Sequence, residues 1–532
     1  MSRIVVIGAG VGGLAVAIRL AQAGHHVVIH ERSGTTGGKL GVYERDGFRF
    51  DTGPSLLTLP QVFDGLGLDL QPTPLDPVVR HVFPDGTRLD SSADHEVFLD
   101  RIATALGPAA ADDWANFWRR AERIWDASWR SVLRRPVTPA TLAALSWRLG
   151  DLRAIAPGRS LRSLGRHYLS DPRLRMLLDR YATYTGADPR RAPAALAAVP
   201  YAELAFGGWY LPGGLGTLGA AMTARCAALG VEIVLNSPVA RIETSSGAGS
   251  GGGVESGGSA GSGSGVESGA GAGSSGGAGS SGAGSGGGGK GGITAGCGRV
   301  RGVRLASGGY VPADIVVSDA DALDVYRDLL PDPSRLARLS DRSLAGFVLL
   351  LGVRGETPEL ARHTVFFPDY YDAEFDAIFG SAARRARPAS DPTVFVTRAV
   401  DPAVRPAGHE AWFVLVNAPR HGYEWSAVDW RRPGLADAYG KHVLAVLARR
   451  GLDVRNRLVF CETRTPADLA DATAAPGGAI YGTAGGLMRP ANRGPVPGLF
   501  LVGGSVHPGG GLPMVTLSAE IVADQIGHLP SL

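Results

Sequence analysis

The stretch that most constrains this chain is Arg3–Arg32, RIVVIGAGVGGLAVAIRLAQAGHHVVIHER. Ile4–Ile7 is a short apolar run that reads as a buried parallel strand, and Leu14–Ala23 reads as a helix. Between them Gly8, Gly10 and Gly13 fall in a G-x-G-x-x-G pattern, with Gly12 beside the last. In such a turn Gly8 permits the tight bend, Gly10 lets the backbone approach a pyrophosphate, and Gly13 allows close helix–strand contact. The helix N-terminus then offers unpaired N–H groups and a positive dipole end to the phosphates. Gly24 ends the helix, Val27–Ile29 reads as a second strand, and Glu31 and Arg32 stand at its end. A carboxylate at Glu31 can accept hydrogen bonds from ribose hydroxyls. The ordered set of strand, turn, helix, strand and acid reads as a dinucleotide site; a structural turn with no ligand is the alternative.

Length and composition narrow the rest. The 532 residues allow two to four domain-sized units, and 44% hydrophobic with 19% charged residues are globular values. A net charge of +3 carries no global polyanion-binding signature, so nucleic acid is not an expected partner. Cys226, Cys297 and Cys461 are far apart and odd in number, which argues for a reducing compartment and against a disulfide framework or a zinc site. Ile4–Ile18 imitates a signal-peptide core, but its glycine spacing and Glu31 fit the nucleotide turn better. No charge-free apolar run reaches the roughly 18–20 residues of a spanning helix; Leu344–Val353 is far too short. The expectation is a cytoplasmic protein that does not span a membrane and can lie on its cytoplasmic face.

Gly37-Gly38-Lys39 follows Glu31, and two glycines with a cation can make a second pyrophosphate contact. Val42–Glu44 and Phe48–Phe50 read as a hairpin around Asp46-Gly47, with a tight turn at Asp51–Pro54. Helices are expected at 94–106, 111–133, 138–149, 160–169 and 172–185. Trp114, Phe117, Trp118, Trp125 and Trp129 lie mostly along one helical side, and Trp114–Arg166 holds eleven arginines against three acids. Two readings stand for this segment: a monotopic membrane contact, or a core aromatic stripe with a solvated arginine face.

Tyr210–Gly216 contains Pro-Gly-Gly and precedes a helix at 217–229 and strands at 231–235 and 238–243. Ser245–Gly298 is nearly all Gly, Ser and Ala and reads as a flexible loop. Its flanks, Val239–Glu243 and Arg299–Leu305, both read as strands, which places the insert at a hairpin tip. Leu344–Val353, Val394–Thr397 and Trp412–Val416 read as strands that, with Phe366, Phe367, Tyr370, Tyr371 and Phe375, either wall an apolar pocket or form a plain hydrophobic layer. Leu435–Arg450 reads as an amphipathic helix returning to the first domain. Finally Pro497–Val502 is a buried strand running into Gly503, Gly504, Ser505, Val506, His507, Pro508 and three glycines ending at Gly511. Leu512, Pro513 and Met514 follow, then a helix at 515–526. Glycines after His-Pro let backbone lie against a flat ring, and the next helix N-terminus can stabilise negative charge on it.

The segments GAGVGG at 8–13, Glu31, GGKL at 37–40, FRFDTGPS at 48–55 and GLFLVGGSVHPGGGLPMV at 498–515 together resemble the carotenoid (phytoene-type) desaturases of the flavin-containing amine-oxidase-like superfamily. The last is the most specific motif, and its Gly-Gly-Ser-Val-His-Pro wording is similar to the hydroxycarotenoid 3,4-desaturase branch. The resemblance implies an α/β fold: a Rossmann-type FAD-binding domain, a discontinuous α+β substrate domain and a helical membrane-facing segment. It implies FAD-domain parts at 1–90, 210–330 and 435–532, a helical region at 91–209 and a substrate sheet at 331–434. It implies non-covalent FAD held by Gly8, Gly10, Gly12, Gly13, Glu31, Arg32, Gly37, Gly38, Lys39, Gly503, Gly504, Gly511, Leu512, Pro513 and Met514, with a backbone contact to adenine at Val239.

The implied activity is desaturation of an acyclic carotenoid, with a hydride passing to flavin N5, a proton leaving the neighbouring carbon, and quinone or oxygen as final acceptor. No nucleophilic triad, metal-ligand spacing or paired-carboxylate signature is visible. His507 is the one candidate for proton transfer, and a structural role is its alternative. Two readings from other classes remain: an amine-oxidase-like flavoprotein acting on a soluble amine, and a non-catalytic polyene-binding protein.

Overall fold

In the computed structural model, residues 2–245, 298–399, 401–484 and 489–527 are described. The opening strand, Arg3–Ile7, lies at the centre of a five-stranded parallel sheet. Across the sheet the strands run Glu232–Val234, His26–His30, Arg3–Ile7, Ile315–Ser318 and Leu499–Leu501. Val5 faces Val316 across one pairing, and Val6 faces Ile29 across the other. Continuous apolar runs at these strands follow from burial on both faces. Ile4 and Val6 pack with Leu14, Ile18, Leu218 and Val522, from helices Val11–Gln22, Gly216–Ala228 and Leu512–Gly527. On the opposite face Val5, Ile7 and Val316 pack with Ile242 and Val303 of a three-stranded antiparallel sheet, Val239–Thr244, Val300–Leu305 and Tyr310–Pro312.

The expected insertion point is a hairpin. Val239–Thr244 pairs antiparallel with Val300–Leu305, and Ser245 N–H donates to the Arg299 carbonyl at 2.8 Å. The flexible-loop reading itself falls on residues 246–297, which lie outside the described residues.

A second sheet has seven strands, in the order Leu458–Arg464, Ala345–Arg354, His409–Ala418, Val394–Ala399, His363–Phe366, Arg80–Val82 and Arg88–Asp90. Its last two strands lie within residues 80–90, inside the expected first FAD segment. The helix Leu435–Arg449 differs from expectation too. Val443, Leu444 and Leu447 pack on Phe347, Leu349 and Val414, so it covers this sheet rather than returning to the parallel one. Phe367, Tyr371 and Phe375 are buried, with Phe367 stacked on Phe83 at 5.1 Å, whereas Tyr370 is 81% exposed and walls nothing.

The helical region shares one apolar core with Ile4 and Leu14 and with Val365 of the second sheet. Asp94 caps the helix His95–Leu106 by accepting from Glu96 and Val97 N–H groups, so the helix expected over 94–106 has its first residue as the cap. The long helix Pro108–Ser128 carries Trp114, Phe117 and Trp125 into the core. Trp118 stacks on His95 at 4.6 Å, and Trp125 on Trp129 at 4.9 Å. This corrects the membrane-facing reading of the tryptophan stripe: these rings pack inward because neighbouring helices cover that face. Several arginines are also engaged, Arg120 with the Ala154 carbonyl, Arg130 with Asp151 and Arg134 with Glu520. No helix among the described residues is long and apolar enough to cross a membrane.

Candidate cofactor and substrate site

The parallel sheet delivers the glycine turn to the carboxyl ends of its strands, where open α/β sheets bind ligands. Gly8 has φ +97°, and a Cβ on Gly13 would strike the Gly8 carbonyl oxygen, so both positions require glycine. Gly10 is the N-cap of the first helix and gives no side-chain cap; the Asp319 carboxylate accepts from the Gly13 and Gly10 N–H groups. Gly37 N–H donates to the Ala9 carbonyl at 2.8 Å, and a Cβ on Gly38 would lie 3.2 Å from the Gly10 Cα. A Cβ on Gly12 would lie 3.0 Å from the Gly503 Cα. Three glycine segments, distant in sequence, therefore meet in one cradle whose glycine side is lined by backbone. A pyrophosphate fits it.

Glu31 latches the turn: its Oε2 accepts from Ala9 N–H at 2.7 Å and its Oε1 from Ser33 N–H at 2.8 Å. Ser237 N–H donates to the Glu31 carbonyl, which brings the start of the Val239 strand alongside the ribose end. Lys39 Nζ donates to the carbonyls of Ile480 at 2.7 Å and Ala479 at 3.1 Å, tying the second glycine loop to the segment before Tyr481. Burial pushes its pKa down to about 8. Arg32 is exposed and donates to the Asp471 carbonyl, away from the cradle.

At the far end Asn492 Nδ2 donates to the carbonyls of Leu501 and His507 and to Ser518 Oγ. Gly503 (φ +102°) and Gly504 leave the last parallel strand toward this brace, and Gly511 has φ +99°. The helix begins at Leu512, earlier than expected, so Leu512, Pro513 and Met514 form its first turn. Proline is tolerated there because that turn has no intrahelical acceptor for its missing N–H. The His507 ring is buried, its Nε2 lies 3.1 Å from the Val132 carbonyl, and burial holds its pKa below the usual imidazole range. It ties the glycine loop to the turn that ends the tryptophan-rich helix.

Five residues here had no motif to announce them. A Cβ on Gly10, Gly12 or Gly503 would meet the Asp319 carboxylate, which follows the central strand Ile315–Ser318. Burial and the nearby Glu31 push its pKa up to about 7, opposed by the Gly13 and Gly10 N–H groups and by Lys39. Arg342 and Asp321 form a buried ion pair at 2.5 Å. Arg489 donates to the carbonyls of Tyr481 and, at 3.4 Å, Gly504. The Tyr481 ring packs where a Cβ on Gly510 would stand. The Asp-Ala-Asp run after an apolar strand was the one available signal, since the end of a central parallel strand is where a ligand sits.

A nucleotide cradle on a parallel sheet, beside a second, mainly antiparallel sheet and a helical layer, defines a flavoprotein oxidoreductase. Residues 11–263 match the family model described as flavin containing amine oxidoreductase. An oxidoreductase from Methanosarcina mazei shares the fold with TM-score 0.60 at 15% identity, covering 98% of this chain and 100% of its own. A putrescine oxidase variant does so with TM-score 0.56 at 13% identity, covering 99% and 98%. A 4,4'-diapolycopene oxygenase of Methylomonas sp. is 32% identical, with 98% of each chain covered. A hydroxyneurosporene desaturase of Rubrivivax gelatinosus is also 32% identical, covering 99% of this chain and 94% of its own. A 1-hydroxycarotenoid 3,4-desaturase of Flavobacterium sp. is 27% identical over 99% of each chain. The chain belongs to the carotenoid desaturase and oxygenase family of FAD-dependent oxidoreductases.

Proposed function

We propose that this protein introduces carbon–carbon double bonds into an acyclic carotenoid. The observation that carries this reading is the end-to-end match to carotenoid-converting relatives, joined to a pyrophosphate cradle built from both termini of the chain. When bound, FAD supplies the hydride acceptor for removal of two hydrogens from adjacent carbons. The chain's own contribution is to hold and orient. Gly8, Gly10, Gly12, Gly13, Gly37, Gly38 and Gly503 hold the pyrophosphate, and Glu31 the ribose. Gly511 and the helix turn Leu512–Met514 face the ring. Tyr481, held through its carbonyl by Arg489, borders the same loop and excludes water from it.

A second reading, terminal oxygenation of the polyene, is favoured by the oxygenase among the relatives at 32% identity. The two separate by product and by oxidant. Purified holoprotein in liposomes, given phytoene, neurosporene and their 1-hydroxy derivatives with a quinone under anaerobic conditions, is expected to yield products two hydrogens lighter. Products carrying new oxygen, formed only in air, would establish the second reading, and no product from any acyclic polyene would overturn both.

A polyene of this kind resides in membranes, and Trp147 (86% exposed) with Leu149 (61%) and Leu142 forms an apolar edge on the short helices Pro139–Trp147 and Leu149–Ile155. We place the lipid contact, on the cytoplasmic face, at this edge. Flotation with the same liposomes checks it: Trp147→Glu combined with Leu149→Glu is expected to leave the protein unbound.

A further inference from the structure

A small cavity of about 30 Å³ lies where three parts of the chain meet: the strand Phe48–Asp51, the turn at 210–214, and one face of the seven-stranded sheet. Thr397 pairs with Phe413 across that sheet, and Ala399 with Ala411, so all four present the same face to it. None of the cradle glycines is among its lining residues.

The polar groups on its walls are unevenly matched. Arg49 and Arg362 both line the cavity, and the Nε of each is buried without a hydrogen-bond partner. Glu44 Oε1 stands 3.7 Å from Arg49 Nε, outside hydrogen-bond reach. The Arg362 guanidinium lies 3.4 Å over the Tyr210 ring, which holds its plane in place. Ser55 Oγ accepts from Thr397 Oγ1 at 2.9 Å and keeps its own proton to donate. The acceptors, by contrast, are engaged. Asp51 takes the Leu215 and Gly216 N–H groups, one on each oxygen, at 2.8 Å. Asp401 Oδ2 takes the Tyr210 hydroxyl at 2.6 Å and Gly213 N–H at 2.7 Å. Burial pushes the Arg362 pKa down and the Asp51 pKa up, so it outweighs the attraction between them.

Three donors therefore border a space whose charged lining is two guanidiniums and one carboxylate. The complement of that surplus is a monovalent oxyanion. Water brings protons of its own to walls whose acceptors are taken, and a dianion exceeds the single surplus charge. A volume of about 30 Å³ has room for roughly two water molecules, enough for a carboxylate and a methyl group.

We propose that Arg49, Arg362 and Ser55 form a binding site for a small aliphatic monocarboxylate. Its oxygens accept from the two Nε–H groups and the Ser55 hydroxyl, and its alkyl end lies against Ala411 and Phe413. The bound acid ties the seven-stranded sheet to the turn that opens the helix Gly216–Ala228, so it stabilises the native chain by linkage.

Calorimetric titration of the holoprotein with sodium acetate tests the site, with ionic strength matched by sodium sulfate. Acetamide, of the same shape without the charge, and hexanoate, too long for the cavity, are titrated in parallel. Acetate is expected to bind saturably, one per chain, and to raise the melting temperature; acetamide is expected to do neither, and hexanoate to bind far more weakly than acetate. Arg362→Met and Arg49→Met are each expected to weaken acetate on the order of 10-fold, and Ser55→Ala several-fold, as the loss of one hydrogen bond to a charged group implies. Heats that never saturate, equal binding of acetamide, or an unchanged affinity in Arg49→Met and Ser55→Ala with their flavin retained overturn the site and leave the cavity to water. Hexanoate binding more tightly than acetate overturns the assignment to a small acid.

Discussion

At the scale of single residues, Asp319 is the group whose chemistry conflicts most directly with its place. Its carboxylate faces the same glycines that would receive a pyrophosphate, with Glu31 adding like charge and Lys39 opposing it. Its pKa near 7 is raised, so the ionised form is disfavoured here and dominates only above neutrality. An ionised Asp319 repels the diphosphate; a neutral one does not. FAD affinity is therefore expected to weaken with rising pH, with Kd increasing about fourfold between pH 6 and 7.5. That window lies below the Lys39 pKa of about 8, whose own loss of charge weakens binding further only at higher pH. Asp319→Asn is expected to bind more tightly at pH 7.5 and to show a flat profile across the window. Fluorescence titration of the apoprotein measures both, and equal slopes in wild type and variant would dismiss the idea. Asp319 escaped the sequence reading because a carboxylate after a strand has no spacing rule. Gly8, Gly10 and Gly13 obey one, since their jobs are set by fixed distances along a single turn.

Among the elements, the tryptophan-rich helix is the instructive case. Spacing placed its aromatic rings on one side, but spacing is silent about what covers that side. The helices bearing His95 and Tyr201 cover it, and the exposed apolar edge belongs instead to the next, shorter helices around Trp147. The two sites make opposite predictions. Trp114→Ala, fully buried against Phe98 and Phe117, is expected to lower stability by about 3–5 kcal/mol. Trp147→Ala is expected to change it by less than about 0.5 kcal/mol. Chemical denaturation of the two variants checks the contrast. The helix Leu435–Arg449 shows the same limit of periodicity: an apolar stripe demands a partner without naming it, and here the partner is the seven-stranded sheet.

For the whole molecule, the legible part was the chain's two ends and the strands that pair locally. The seven-stranded sheet was harder, since it gathers strands from residues 80 to 464 and no local signal orders them. The Gly/Ser-rich insert departs from a closed hairpin, where Ser245 N–H meets the Arg299 carbonyl and Arg299 N–H meets Ser245 Oγ at 2.9 Å. Loop length costs only logarithmically in closure entropy, so removing residues 247–296 is expected to leave flavin content and the melting temperature unchanged within error. Loss of the bound-flavin spectrum in that deletion would show that the insert serves the fold.

The cradle has a temporal consequence. Gly503 stands against Gly12, and the strand that brings it there, Leu499–Leu501, is an edge strand of the parallel sheet. A ribosome releases the first glycines early and the last ones near the end of synthesis. Throughout translation the emerging chain thus carries half a nucleotide site with nothing to close it, and cofactor capture waits for the final strand. Chains truncated before residue 499 lack that strand and are expected to purify without the flavin absorbance of the full chain.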